Sequence, residues 1–212
     1  MSIVSKGIRL FIDNPVGFAG LVKALLRGTL TVLYCKIAKP RVRIEFPFFM
    51  YETFRVNGPG RVFVGSYCWI YPNMFEGVSI VTLDPDAEVR IGRNCSLGGV
   101  TIRCRKKIEI GDRILAAQSL IQDCMLAECP GMWADGAIPQ EMIPRPIKIG
   151  RNVWIGAQSC ILGGTTIGDE SVISLGTVCH GTMIEEYHLA SGNPSLRPVS
   201  ISRLTRMQDR LR

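Results

Sequence analysis

A strict period of six residues, running from Ile149 to Cys179, constrains the fold more than any other feature of this chain. An aliphatic residue or a small thiol stands at every sixth position: Ile149, Ile155, Ile161, Ile167, Ile173 and Cys179. A small or β-branched residue follows each of the first five after four places: Val153, Ser159, Thr165, Ser171 and Thr177. A short fixed period indicates a repeat architecture and has to be recognised before single helices or strands are assigned.

A period of six is a multiple of the strand period of two, and it does not match the helix period of 3.6. Short strands joined by tight turns would send each leading aliphatic residue to the same inward position. It would stack there on its equivalent in the next coil, about 4.8 Å away. Gly150, Gly156 and Gly168 follow leading aliphatics, and we expect them to serve turn conformations that are costly for other residues. The sequence therefore predicts an all-β solenoid.

Several phrases of the chain resemble the hexapeptide-repeat acyltransferases of the polysaccharide O-acetyltransferase type, which are left-handed parallel β-helices. They are the run Pro-Ile-Lys-Ile-Gly-Arg-Asn-Val-Trp-Ile-Gly-Ala at 146–157, Asp169 with the coil of Ile173, and the closing Ala-Ser-Gly-Asn-Pro at 190–194. The left hand follows from the resemblance alone, since general rules for crossover connections favour the right hand. The resemblance implies transfer of an acyl group, mostly acetyl, from acetyl-coenzyme A to a hydroxyl or an amine, and assembly as a homotrimer.

Composition narrows the choice of partners. The 212 residues suit one domain with a continuous core. Lys and Arg number 25 against 18 Asp and Glu, a net charge of +7, which could attract nucleic acid, an acidic membrane surface or a phosphorylated ligand. No nucleic-acid-binding motif accompanies this charge, so we expect no nucleic-acid partner.

The eight cysteines do not form a C-x-x-C pair, and their spacing argues against disulfides and zinc. Cys68 and Cys95 each follow an aliphatic repeat residue by four places, so we expect small interior fillers. Free thiols indicate a reducing compartment, and we expect the cytoplasm or the inner face of the membrane. Two histidines near the end of the repeat cannot supply the three ligands of a catalytic zinc, so no metal is expected.

The chain divides into a helical segment at 1–40, a β-helix at 41–194 and a partly helical tail at 195–212. In the first segment Leu21, Leu25, Gly28 and Val32, with Lys23 and Arg27 opposite, predict an amphipathic helix. Its longest charge-free part is too short to span a bilayer. Two interpretations stay open. The helix caps the open end of the β-helix or packs against a partner subunit, or residues 8–39 make a peripheral membrane contact.

The period of six disappears between residues 122 and 146. A long loop within an otherwise strict repeat is usually functional. The resemblance implies that it projects from the prism and covers the active site of the neighbouring subunit.

The resemblance also implies one catalytic histidine, acting as general base on the acceptor, with backbone N–H groups that stabilise the oxyanion. In the phrase Ile-Gln-Asp-Cys-Met-Leu-Ala at 121–127, that histidine position is Ala127. Three explanations stay open. Ala127 replaces the histidine and leaves Asp123 and Glu128 as supporting carboxylates. Another group serves as the base, either Glu128, Asp123 or a thiolate of Cys124 or Cys129, which would need a lowered pKa. Or the protein is not an enzyme and binds a glycan or scaffolds other proteins.

The remaining candidates lie later in the chain. His180 and His188, the only two histidines, could each be structural, contact the coenzyme or act as the base. The resemblance implies that coenzyme A lies along Gly156, Ala157, Ser174, Gly176, Thr177, Asn193 and Arg197. Arg197 is expected at a coenzyme phosphate. Acceptor contacts are expected from Asp123, Glu128 and Trp133, although Asp123 could instead bond the backbone of its own loop and Trp133 could anchor that loop. The expected function is O-acetylation of a sugar hydroxyl in a cell-surface polysaccharide or its precursor.

Overall fold

The computed structural model describes residues 14–72, 77–124 and 143–201, which form one α-helix followed by a parallel β-helix. Helix α1 is Pro15–Ala38. Sheet A contains β1 Val42–Ile44, β4 Arg61–Val64, β7 Glu88–Ile91, β10 Lys107–Ile110, β13 Ile147–Ile149, β16 Thr166–Ile167 and β19 Met183–Ile184. Sheet B contains β2 Phe48–Met50, β5 Cys68–Tyr71, β8 Ser96–Gly98, β11 Leu115–Ala117, β14 Trp154–Ile155, β17 Val172–Ile173, β20 His188–Ala190 and β21 Val199–Ser200. Sheet C contains β3 Phe54–Asn57, β6 Val78–Thr82, β9 Thr101–Cys104, β12 Leu120–Gln122, β15 Cys160–Leu162 and β18 Val178–His180.

Successive strands from β1 to β20 pass from sheet A to sheet B to sheet C, and each strand from β1 to β17 pairs in parallel with the strand three places further along the chain. The last strand, β21, differs because it pairs antiparallel with β20. This order defines a solenoid of triangular cross-section, as the period of six predicts.

The core confirms that prediction residue by residue. The six leading residues from Ile149 to Cys179 fall on sheets A, B, C, A, B and C in turn, and each is at most 2% exposed. In the ladders, Ile149 stands beside Ile167, Ile155 beside Ile173, and Ile161 beside Cys179. Each aliphatic side chain therefore rests on its equivalent one coil away.

The small polar residues of the repeat fill the corners of the interior. Ser159, Thr165, Ser171 and Thr177 are fully buried. The Ser171 Oγ donates to the Glu185 carbonyl at 2.9 Å, and the Thr165 Oγ1 donates to the Cys179 carbonyl at 3.2 Å. These hydroxyls tie one coil to the next where a larger side chain would not fit.

The sequence predicted that Gly150, Gly156 and Gly168 adopt the unusual turn conformations, and the structure places these conformations at other residues. A left-handed backbone recurs every six residues at Asn152, Gln158, Gly164, Glu170 and Gly176, with φ between 55° and 82°. Most of these positions carry a side chain. The expected turn glycines are absent from this set, so the left-handed conformation is not what requires glycine after each aliphatic residue.

Gly150 and Gly168 are required by the close approach of the next coil. A Cβ at Gly150 would lie 2.4 Å from Asp169 Oδ1, and one at Gly168 would lie 2.4 Å from the Glu186 nitrogen. Both separations are shorter than any tolerable contact, so the missing side chain is what lets the coils stack.

Helix α1 covers the open N-terminal end of the solenoid. It begins after Asn14, whose Oδ1 accepts from the Gly17 N–H at 2.8 Å, as expected of an N-cap. Its buried residues Ala24, Gly28 and Cys35 face the first coil, and the Arg27 Nη1 donates to the Tyr51 carbonyl at 2.9 Å. Strands β1, β2 and β3 each pair on one side only, so the helix shields an edge that would otherwise attract other strands.

The outward face of this helix is apolar, whereas the sequence predicted a polar one. The exposed large side chains on it are Val22, Leu26, Leu30, Leu33 and Ile37. Lys23 is exposed beside them, but Arg27 is drawn to the first coil. Within the described residues, α1 is the one helix long and apolar enough to cross a membrane by length and composition.

The cysteines in the described part of the chain are free, as predicted. Of the seven in the described part of the chain, all except Cys160 are buried, and Cys68 and Cys95 are completely so.

Two glycines of α1 give a matched test of end-capping. A Cβ at Gly28 would lie 1.8 Å from the Phe48 carbonyl oxygen, whereas one at Gly20 would meet only Tyr51, at 3.9 Å. We expect Gly28→Ala to lower the free energy of unfolding by about 1–3 kcal/mol, because the helix must move off the coil. Gly20→Ala should raise it by up to about 1 kcal/mol through helix propensity. Urea unfolding measures both, and equal effects would contradict the capping contact.

Candidate active site

The long insert joins the end of β12 to the start of β13, and the structure describes its two ends, residues 123–124 and 143–146. Residues 125–142 lie outside the described part of the chain. The predictions for Ala127, Glu128 and Trp133, and the alternative base Cys129, therefore lie outside it too.

Asp123 is a buried anchor at the first end of the insert. Its side chain is only 1% exposed. Oδ1 accepts from the Arg105 N–H at 2.7 Å, and Oδ2 accepts from the N–H groups of Lys106 and Lys107 at 2.7 and 2.9 Å. The Cys104 Sγ lies 3.5 Å from Oδ2. This burial does not support the expected direct contact between Asp123 and an acceptor. The alternative, a bond to the backbone of its own loop, is also not what the structure shows, because the carboxylate accepts from the turn at 105–107 of the preceding coil.

Cys124 does not have the environment of a nucleophile or a base. It is 5% exposed, and burial first, then the charge of Asp123, raise the pKa of its thiol to about 11. The thiol is therefore protonated at neutral pH, and a thiolate base at Cys124 is excluded by its surroundings.

His180 lies at the outer surface of β18, on the same face of sheet C as the end of β12. In the ladder, Gln122 stands beside Leu162 and Leu162 beside His180. The Arg145 Nη2 is 3.0 Å from the His180 Nε2. A guanidinium has no lone pair to accept a hydrogen bond, so Nε2 must accept and the ring proton lies on Nδ1. In this contact the His180 ring faces a positive charge through its Nε2 lone pair.

The backbone of Arg145 is fixed by two hydrogen bonds. Its N–H donates to the Asp123 carbonyl at 3.1 Å, and its own carbonyl accepts from the Gly164 N–H at 3.1 Å. Its guanidinium passes over two glycines in left-handed conformations, Gly164 and Gly181, where a Cβ would lie 3.1 and 3.3 Å from it. The sequence did not single out Arg145, because it stands at the end of the insert, where no period marks it.

His188 is placed differently. It lies half-buried on β20 of sheet B, and its Nδ1 is 2.8 Å from the Glu186 carbonyl. The carbonyl can only accept, so Nδ1 carries the proton. His188 makes no hydrogen bond to the two described ends of the insert, residues 123–124 and 143–146.

The expected coenzyme-binding residues gather along one edge, between sheets B and C. Gly156 and Ser174 occupy equivalent corners of neighbouring coils, and their N–H groups donate to the carbonyls of Ile173 and Ala190 at 2.8 and 2.9 Å. The Gly176 N–H donates to the Ala157 carbonyl at 3.0 Å. A Cβ at Gly176 would meet nothing within 4 Å, so the edge is open to a ligand at this residue.

Of the other residues expected to bind the coenzyme, Asn193 and Arg197 lie at one end of this edge, whereas the Thr177 side chain does not lie on it. Asn193 and Arg197 are exposed in the last turn, and the bond between Asn193 and Pro194 is cis. Thr177 is 0% exposed, and its Oγ1 has no hydrogen-bond partner in the described structure. The Thr177 side chain points into the core, so only its backbone could contact a coenzyme on this edge.

A short apolar surface joins the open edge to His180. On β15 and β18 the outward residues are Cys160 and Leu162, and Val178 and His180. Two residues along a strand span about 7 Å. An extended ligand crossing this surface would meet the His180 imidazole, the Arg145 guanidinium and the first residues of the insert.

Residues 146–185, or 40 of the 212, match the family described as "Bacterial transferase hexapeptide (six repeats)". The chain is 32% identical over 114 residues to a probable acetyltransferase of Mycobacterium tuberculosis, covering 52% of this chain and 36% of that relative. It is 31% identical over 118 residues to the galactoside O-acetyltransferase of Escherichia coli, covering 54% of this chain and 52% of that relative. The chain thus spans between about a third and a half of the length of these relatives.

Among solved structures, a mutant of AntD, an N-acyltransferase from Bacillus cereus in complex with dTDP and coenzyme A, is similar with a TM-score of 0.52. The identity is 15%, over 80% of this chain and 86% of that one. Together with the three parallel sheets, this likeness establishes the fold as the left-handed parallel β-helix of hexapeptide-repeat proteins.

Asp123 can be tested as a structural anchor. Asp123→Asn keeps the shape but removes the charge and turns one acceptor into a donor facing N–H groups. We expect the free energy of unfolding to fall by about 2–4 kcal/mol, since bonds to charged groups are strong. Asp86→Asn, at an exposed carboxylate, should change it by less than about 0.5 kcal/mol. Chemical denaturation compares the two, and an Asp123→Asn protein as stable as the control would contradict the anchoring role.

Proposed function

We propose that this protein is a hexapeptide-repeat acetyltransferase that uses acetyl-coenzyme A to acetylate a sugar hydroxyl of a cell-surface polysaccharide or its precursor. The observation that carries the proposal is the edge formed by Gly156–Ala157, Ser174 and Gly176, which is open at Gly176 and lies inside the segment that matches the family. The names of the relatives support acetyl transfer, and the galactoside O-acetyltransferase supports a sugar hydroxyl as acceptor.

In this proposal the coenzyme lies along the edge, with Asn193 and Arg197 at one end. Arg197 is exposed and has no hydrogen-bond or ion-pair partner among the described residues. A free guanidinium is well suited to a phosphate, which it can hold through two parallel hydrogen bonds. The apolar surface of Cys160 and Val178 would take the flexible arm of the coenzyme, and the acetyl group would then approach His180.

The base for the acceptor hydroxyl is the open chemical question. With Ala127 at the expected histidine position, a methyl group cannot accept a proton. Among the described candidates Asp123 is fully bonded and Cys124 is protonated. His180 is exposed, and its Nε2 lone pair would become available if the Arg145 guanidinium turned to the oxyanion of the transferred acetyl group. We propose that any turnover by this chain uses His180.

A homotrimer, located in the cytoplasm, completes the proposal. One row on the outer face of sheet B is apolar at all but one of its seven positions: Phe49, Trp69, Ser96, Leu115, Trp154, Val172 and Leu189. Trp154 is 57% exposed in the single chain. Such a row is typical of a surface that another subunit covers.

Coenzyme binding can be tested at Arg197. We expect Arg197→Gln to weaken coenzyme A binding about tenfold, because an ionic bond to a phosphate is lost. Arg55→Gln, an exposed arginine near the other end of the solenoid, should leave the Kd unchanged. Calorimetric titration gives both values, with the weakening expected to shrink at high salt.

If neither the unmodified protein nor the Arg55→Gln control binds coenzyme A, the proposed acetyltransferase function is ruled out. The alternative function, a glycan-binding or scaffolding β-helix, then replaces it, because a protein of that kind does not need to bind coenzyme A.

The base can be tested with three single variants assayed against a panel of sugar acceptors. We expect Ala127→His to raise kcat by at least about a hundredfold, the usual contribution of a general base. Residual activity of the unmodified chain should fall in His180→Gln and persist in His188→Gln. Coenzyme A binding should be equal in all of them.

Activity of the unmodified chain that survives His180→Gln would place the base elsewhere, with Glu128 and Cys129 next. An Ala127→His variant that binds coenzyme A and gains no activity would reject position 127 as the catalytic position.

A further inference from the structure

The outward face of helix α1 is a continuous apolar strip. Val22, Leu26, Leu30, Leu33 and Ile37 follow one another by four, four, three and four residues, and each is between 39% and 83% exposed. This spacing places them on one side of a helix. A contiguous exposed apolar surface of this kind usually marks a site of interaction with another protein or a membrane.

The strip cannot be a bilayer-spanning segment in this fold. The opposite side of α1 is fixed to the first coil by the contact of Gly28 with Phe48 and the hydrogen bond from Arg27 to Tyr51. A helix that crossed the bilayer in this position would carry the exposed side chains of Arg43 and Glu45 into it, and charged groups there are costly. Only the outer half of the helix is free to enter an apolar phase, as in an interfacial helix.

The surroundings of the strip are basic. Between Pro15 and Ala38 there is no Asp or Glu, whereas Lys23, Arg27 and Lys36 are present. Arg41 and Arg43 come directly after the helix and are exposed. This charge repels a second copy of the same face and attracts a surface of anionic phospholipid, where each basic residue strengthens binding.

A groove of about 850 Å³ opens beside the C-terminal half of α1. Its basic side chains are Lys36, Arg43, Arg90 and Arg93, and its acidic ones are Glu45 and Asp112. Two of the arginines are already paired, Arg90 with Glu88 and Arg93 with Asp112. Lys36 and Arg43 have no such partner among the described residues, which leaves two cations facing the groove.

From the strip, the basic surroundings and this groove, we propose that the N-terminal end of the solenoid docks on an anionic phospholipid bilayer. The leucine side chains of α1 enter the headgroup boundary, and Lys36 and Arg43 bind lipid phosphates at the mouth of the groove. The proposal does not depend on the acetyltransferase activity. It concerns the opposite end of the solenoid from the open edge.

The test is sedimentation of the full chain with vesicles of phosphatidylcholine, either pure or containing about a third phosphatidylglycerol. We expect binding to the anionic vesicles. Leu26→Gln with Leu30→Gln should lower the partition coefficient about a hundredfold, since each leucine contributes at least about tenfold when buried. Lys36→Gln with Arg43→Gln should lower it about twentyfold on anionic vesicles and hardly at all on neutral ones.

Met183→Gln provides the matched control, because Met183 is 75% exposed in the last coil of sheet A, at the other end of the solenoid. It should bind as the unmodified chain does, and all variants should keep the unmodified unfolding midpoint. The proposal is overturned if the chain does not bind anionic vesicles, or if the leucine variant binds equally well. Light scattering tests the remaining alternative. If the unmodified chain does not bind vesicles and the leucine variant forms a smaller oligomer, the strip is covered by a second copy and the proposal is overturned.

Discussion

The distance between neighbouring coils, one strand spacing of about 4.8 Å, is the constraint on which this molecule depends. It selects the buried aliphatic residue of each sixth position, whose equivalents stack on one another. It also selects glycine where a Cβ would collide with the next coil, as at Gly150 and Gly168. Both ends of the solenoid depend on this stacking. It positions the candidate coenzyme edge toward one end, and at the other end it leaves an open strand edge that α1 covers.

Sequence reasoning recovered the features that periodicity determines and missed those that depend on neighbouring coils. The period of six sufficed for the solenoid, the buried isoleucines and the free cysteines. The reason for the glycines was wrong, because a collision with a residue about eighteen places further along leaves no trace in a local pattern. The apolar outer face of α1 was missed for a related reason, since the inward face turned out to be made of small residues such as Ala24 and Gly28.

The candidate site shows the same division. Most residues of the candidate coenzyme edge recur with the repeat, and the structure places Gly156, Ser174 and Gly176 at neighbouring corners between sheets B and C. Asp123 was found by its position in a motif, but its burial and its three backbone partners could be seen only once the turn at Arg105–Lys107 was folded against it. Arg145 stands outside any repeat, and its pairing with His180 joins residues 35 positions apart.

The regular coil spacing of the β-helix also fixes the distance between α1 and the candidate site. The sheet C strands near His180 and the insert, β12 to β18, stand three to five coils beyond β3, which lies next to α1. At one strand spacing per coil this is about 15–25 Å. If α1 rests on a bilayer, the reacting sugar must stand that far above the lipid surface. A monosaccharide attached directly to a lipid phosphate would be too short to reach, so the length of the solenoid would select a glycan of several residues, or one already released from its carrier.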